Sequence, residues 1–156
     1  MNKIKILDCT LRDGGYYNNW DFSREVVNDY LRVMSLVRID YVEVGFRSFK
    51  AKNFKGPTWY TTESYLNSLS IPKNLIIGVM VNASELISHS LGIFKATKNM
   101  FIEAKKSKVK LVRLACHFEE LNKTIQVSKI LQGMGYKVGI NLMQISEQSK
   151  EIITSA

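Results

Sequence analysis

The chain has 156 residues, 46% hydrophobic and 23% charged, the size and composition of one globular domain spanning residues 1–156. It holds no apolar run long enough to cross a membrane and opens on no signal-peptide pattern, so a cytoplasmic protein without a membrane partner is expected. The net charge of +8 raises the question of an anionic partner. Six lysines fall between Lys95 and Lys110, however, and read as a solvated helix face. No nucleic-acid motif accompanies them, so no nucleic-acid partner is expected.

In chain order, residues 4–11 form a β-rich run. Residues 23–37 carry Val26, Val27, Tyr30, Leu31, Met34 and Val37 at helical spacing, with Asp21 or Ser23 as N-cap. "YVEVGF" (41–46) is a second strand. A long loop over 47–65 follows, then a short helix near 62–69. The loop reads either as a lid over an anionic substrate or as an Ω-type loop packed by Phe49, Phe54 and Trp59. "LIIGVMV" (75–81) is a third strand, followed by mostly helical residues over 84–105. "VKLVRLAC" (109–116) is a fourth strand. A helix over 119–132 is closed by Gly133 and Gly135, and "KVGINLMQ" (137–144) is a fifth strand. The tail over 146–156 begins a further helix. Cys9 and Cys116 sit inside apolar segments without metal-type spacing and read as buried free thiols.

Strands alternating with helices imply a parallel sheet covered on both faces, hence an α/β fold. Apolar runs without alternation fit strands buried on both sides. Periodicity leaves two architectures open, a doubly wound five-stranded sheet and the opening part of an eight-stranded barrel. The first βα turn lacks the G-x-G-x-x-G of a dinucleotide fold.

That turn reads "LDCTLRDGGYYN" (7–18). In parallel α/β folds functional groups gather at the carboxyl ends of strands. Neighbours on a strand point to opposite faces, so Arg12 and Asp13 share a pocket only where the strand breaks, and Gly14-Gly15 permits a break. The carboxylate suits a hard divalent cation and the arginine suits an oxyanion. The other reading is an ion pair beside a tight turn.

"LDCTLRDGG" is similar to the D-x-T-L-R-D-G signature that opens the barrel in the metal-dependent aldolases and carboligases called DRE-TIM metallolyases. That superfamily includes 4-hydroxy-2-oxovalerate aldolase, 3-hydroxy-3-methylglutaryl-CoA lyase and other enzymes with a pyruvate carboxyltransferase-type domain. "YVEVGFRS" resembles the family's second strand and "VRLACHFEE" the fourth strand of its hydroxyoxovalerate aldolases.

The resemblance implies the first five strands of a TIM (β/α)8 barrel, truncated, from an enzyme that cleaves or forms a carbon–carbon bond through a pyruvate-type enolate. It gives Asp13 as a metal ligand, Arg12 as the group holding the 2-keto acid and its enolate, and Glu43 as a residue near the substrate or supporting it. Glu43 is equally read as an interior carboxylate paired with a neighbouring arginine. The cofactor implied is a divalent metal, Mn2+ or Mg2+, with an incomplete site in this chain.

The sequence also departs from the family. Where its aldolases carry a histidine base, this chain has Tyr16. The reference pKa of a phenol, ~10, makes it a poor base at neutral pH, so a hydrogen-bond donor or a different chemistry is implied. The two late-strand histidines that complete the family's metal site have no counterpart. His89 reads as structural. His117, at the end of the fourth strand, reads as a functional residue or as a satisfied buried histidine. An isolated half-barrel is expected to be inactive and to self-associate or to pack against the missing C-terminal half. A non-catalytic flavodoxin-like binding domain, complete at this length, is the alternative.

Overall fold

Five parallel strands lie side by side in chain order, β1 (Leu7–Asp8), β2 (Tyr41–Phe46), β3 (Ile76–Asn82), β4 (Val109–Cys116) and β5 (Lys137–Leu142). The structure is a computed structural model and describes residues 4–49 and 51–154. A doubly wound sheet reverses its strand order at a switch point. This one does not. It also curls: Nζ of Lys137 on β5 donates to the hydroxyl of Tyr41 on β2 at 2.9 Å, across the concave face. Sequential parallel strands with curl make the fold α/β and half-barrel-like, and the doubly wound alternative is set aside.

The helices are α1 (Thr10–Asn18), α2 (Arg24–Leu36), α3 (Pro57–Tyr60), α4 (Glu63–Asn67), α5 (Ala83–Ile87), α6 (Gly92–Met100), α7 (Leu121–Gly133) and α8 (Lys150–Thr154). Ser23 Oγ accepts from the Val26 amide at 3.2 Å, which settles the N-cap of α2 on Ser23. Gly135 takes φ +91° after α7. The last two residues of the expected C-terminal helix, 155 and 156, lie outside the described residues, as does residue 50 of the long loop.

Alternation along each strand divides two clusters. Val42, Val44, Ile77, Val79, Val81, Val112 and Leu114 face outward and join Val27, Leu31, Leu66, Leu86, Val127 and Leu131 of the covering helices in the main core. The opposite, concave face carries a smaller cluster of Trp20, Phe46, Met80 and Ala115 near the carboxyl ends of the strands, with Trp59 and Met143 against it.

Several sequence expectations need correction. The first strand is two residues long rather than running over 4–11, and the chain is helical from Thr10. The Asp8 carboxylate accepts from both the amide and the hydroxyl of Thr10 at 3.0 Å, turning the chain before an extended strand can continue. The helix expected over 84–105 is two helices, because Gly92 at φ +76° introduces a left-handed residue that a continuous helix excludes. The lysines from 95 to 110 consequently do not share one helix face. Lys95 and Lys98 lie on α6, Lys105, Lys106 and Lys108 in the following loop, and Lys110 in β4, where its ammonium donates to the carbonyls of Ala104 and Ser107. Among the described residues, no helix is long and apolar enough to cross a membrane.

Candidate functional site at the carboxyl ends of the strands

The motif "RDGG" lies on a helix, not on a broken strand. Cys9, at φ −120° and ψ 13°, turns the chain out of β1, and the Asp13 amide donates to the Cys9 carbonyl at 2.9 Å. Consecutive helical residues are ~100° apart, so Arg12 turns toward the concave face while Asp13, 61% exposed, points to solvent. Their side chains still meet, Arg12 Nη1 contacting Asp13 Oδ1. Gly14 and Gly15 therefore do not break a strand. Gly15 is needed for clearance, since a Cβ there would lie 2.1 Å from Cδ1 of Trp20.

Arg12 Nε donates to Glu43 Oε1 at 2.8 Å. Glu43 is 0% exposed, in the middle of β2. A second guanidinium approaches it from β4: Arg113 Nη1 lies 3.4 Å from both Glu43 oxygens, while Nη2 donates to Asn141 Oδ1 on β5 at 3.1 Å. Arg113 Nη1 also reaches the sulfur of Cys9 at 3.3 Å. A buried carboxylate is costly unless paired, and this one holds two arginines, one from α1 and one from β4. Gly78 is beside Glu43 in the β2–β3 register and Gly139 beside Arg113 in the β4–β5 register. Burial works against the charge of Arg12, but the hydrogen bond and charge of Glu43, with Asp13 behind them, raise its pKa above the ordinary arginine value.

Burial raises the pKa of Cys9, as does the Glu43 charge, while the two arginines oppose the shift, so the group stays a thiol. Cys116 is buried and its thiol is pushed up by burial as well. Both are free, as expected, but Cys9 is only half-buried, so the buried reading holds for Cys116 alone.

Tyr16 is 64% exposed, with its ring edge-on to Trp20 at 4.7 Å. With Cys9, Thr10, Asp13, Gly14 and Tyr17 it lines an open pocket of about 630 Å³. His117 is exposed at the end of β4, so the buried-histidine reading fails. Its amide donates to Glu120 Oε2 at 3.0 Å, as an N-cap does, and none of the described bonds ties it to Arg12, Asp13 or Glu43. His89 lies in the turn between α5 and α6, where its Nδ1 accepts from the Leu91 amide at 3.2 Å and its ring meets Phe49. Arg12 thus joins Asp13 and Glu43, Tyr16 shares only the open pocket with Asp13, and His117 stands apart.

Among the described residues, no group of three or more His, Cys, Asp or Glu side chains could hold a metal ion. Asp13 is a single ligand already in contact with Arg12, and the residues present do not by themselves fit a divalent centre.

The loop after β2 is fixed at both ends of its first half. Arg47 is buried, donating to the Thr61 carbonyl from Nε and Nη2 and to Glu63 Oε1 from Nη1 at 2.8 Å. Thr58 Oγ1 donates to the Trp20 carbonyl at 2.7 Å. Phe49 and Trp59 pack inward, whereas Phe54 is exposed, so the packed-loop reading holds for two of its three aromatics. Arg113, Asn141 and Trp20 were not singled out by sequence. The fourth-strand arginine in "VRLAC" was the available signal, since a charge inside an apolar strand needs a buried partner.

No family model matches the chain, and no curated protein matches it. Among solved structures it is similar to the N-terminal domain of a "putative aldolase" from Bacteroides vulgatus, at 33% identity and a TM-score of 0.69. The match covers 92% of this chain and 46% of that one, so this chain spans about half the length of the solved chain it matches. The fold of the chain is aldolase-like.

Proposed function

We infer that the chain is the keto-acid-binding part of a metal-dependent aldolase or lyase of the DRE-TIM type, acting on 4-hydroxy-2-keto acids or forming them from pyruvate. The observation supporting this most strongly is the Arg12–Glu43 bond at the carboxyl end of the first strand, beside Asp13. Glu43 takes Nε and Asp13 contacts Nη1, which leaves the N–H groups of Nη2 to donate to an oxygen of a carboxylate or enolate. In cleavage, the bond between C3 and C4 of the substrate breaks and its electron pair enters the enolate. The proton of the 4-hydroxyl passes to a base as the aldehyde forms, and the enolate then takes a proton at C3 to give pyruvate. Arg12 meets the charge that develops on the enolate oxygens in a partly desolvated site, where fixed charge is most effective. Tyr16 borders the adjoining pocket with Asp13, and on this reading its hydroxyl serves there as a donor.

A divalent ion, Mn2+ or Mg2+, belongs to this reading as a Lewis acid, with Asp13 the one ligand this chain offers. The chain alone is inactive on this view. It packs against further strands or a second copy through the open edges of β1 and β5 and the exposed Ile140. The test is a coupled pyruvate assay with 4-hydroxy-2-keto acids on a protein of the relative's length carrying these five strands. Turnover that Arg12→Ala lowers by ~100-fold or more supports it, and unchanged turnover removes Arg12 from the reaction.

A further inference from the structure

Asn19 and Trp20 are consecutive non-glycine residues at φ +58°. For a bulky side chain this left-handed conformation is an outlier, held only where surrounding contacts fix it. It folds the Trp20 indole back onto α1, where Nε1 donates to the Arg12 carbonyl at 2.9 Å. That oxygen retains a second lone pair beyond any helical bond. Gly15 lets the ring lie against the helix, and Tyr16, Phe46 and Trp59 meet it edge-on. The loop after β2 grips the same residue pair from the other side. Thr58 Oγ1 holds the Trp20 carbonyl, the Gly56 amide donates to the Asn19 carbonyl at 2.8 Å, and Lys55 Nζ donates to Asn19 Oδ1 at 2.8 Å. The Lys55 ammonium also lies 4.9 Å from the Trp20 ring and 5.4 Å from that of Trp59.

We propose that Trp20 is a positioning residue for Arg12, linking the placement of residues 55–58 to the arginine at the strand end. Glu43 fixes the guanidinium and Trp20 fixes the backbone that carries it. The importance of that linkage rests on the reading of Arg12 as the keto-acid group, whereas the linkage itself is testable without any ligand.

The chain contains two tryptophans, and Nε1 of Trp59 has no hydrogen-bond partner. Replacing both by β-(3-benzothienyl)alanine, which carries sulfur in place of N–H, therefore removes one bond, that from Trp20 to Arg12, and keeps both ring systems. Circular dichroism should show the fold retained. Hydrogen exchange at Arg12 Nε, followed by NMR without ligand, should quicken by about tenfold as the bond to Glu43 opens more often. Thr58→Ala, which loosens the grip on the Trp20 carbonyl and leaves the indole intact, should quicken it by about threefold. If both proteins exchange at the wild-type rate, the positioning role is overturned, and a purely structural indole would give that result. Should the substituted chain not fold, Thr58→Ala decides alone. A parallel titration with oxalate, a planar mimic of the pyruvate enolate, examines the underlying reading. Absence of oxalate binding to the wild-type protein counts against the keto-acid reading, while the exchange rates decide the linkage.

Discussion

Glu43 on β2 and Arg113 on β4 face each other across the concave side of the sheet, with Arg113 Nη1 3.4 Å from both carboxylate oxygens. Arg12 completes the group from α1, so one fully buried carboxylate offsets two guanidinium charges. Removing it leaves both arginines partly buried without their acceptor. Glu43→Ala should cost about 3 kcal/mol of folding stability in urea denaturation, and Glu43→Gln less, because an amide oxygen still accepts. A loss below about 0.5 kcal/mol for the alanine variant would show that solvent already screens the cluster.

Gly45 is the second point where absence of a side chain decides the packing. A Cβ there would lie 1.8 Å from the carbonyl oxygen of Thr58, which is backbone and cannot swing aside. Gly45→Ala should displace α3 from β2 and lower stability by about 3 kcal/mol, beyond the usual cost of overpacking at a yielding site. Limited proteolysis should then cut within 50–61 where the wild type resists. Equal resistance would mean that α3 adapts.

Tyr65 offers a pH test. Its hydroxyl is buried without a partner, and burial pushes its pKa from 10.0 to about 12. The folded chain holds this proton more tightly than the unfolded chain. Its contribution to stability is therefore complete below the unfolded value, near pH 10, and is lost as pH rises through the folded value near 12. Thermal melts across that window should show a fall that Tyr65→Phe reduces. At pH 7 the phenylalanine variant should be neutral or up to about 1 kcal/mol more stable, since it deletes an unsatisfied hydroxyl. Clear destabilisation at pH 7 would reveal a partner for the hydroxyl.

The chain by itself should bind manganese no better than an exposed carboxylate does. Asp13 supplies one ligand, and tight divalent sites need several held together. Calorimetry should find no micromolar binding, and a coupled assay should find no pyruvate released from 4-hydroxy-2-keto acids. Micromolar binding abolished by Asp13→Ala would show that a second copy completes the site.

Much of this architecture is legible in the sequence. "LIIGVMV" is apolar throughout because Ile77, Val79 and Val81 meet helices while Met80 faces the concave cluster, so both faces are buried. The helix over 10–18 is not legible, because Gly14-Gly15 reads as a turn when the reason for Gly15 is a ring folded back from Trp20. That is a tertiary contact. The same limit hides Arg113 and Asn141. Sequence shows a charge in a strand, but only the curl of the sheet brings residues 43, 113 and 141 to one point. Arg12, Asp13 and Tyr16 are legible as candidates because a local motif carries them, and Glu43 because it is a carboxylate inside a strand. His117 was placed at its strand end, yet it caps a turn instead of joining the cluster.

The most direct measurement concerns the enolate. A protein of the relative's length carrying this chain, incubated with pyruvate and Mg2+ in D2O, should exchange the pyruvate methyl protons for deuterium without any aldehyde present. Proton NMR follows the loss of the methyl signal, and no knowledge of the second substrate is needed. The expected result is exchange at least tenfold above the solvent rate, with Arg12→Ala reduced to background, since removal of one preorganised donor costs about 10²–10³ in rate. Wild-type protein that leaves the methyl protons in place, or an Arg12→Ala variant that exchanges them at full rate, would contradict a keto-acid enolate held by Arg12.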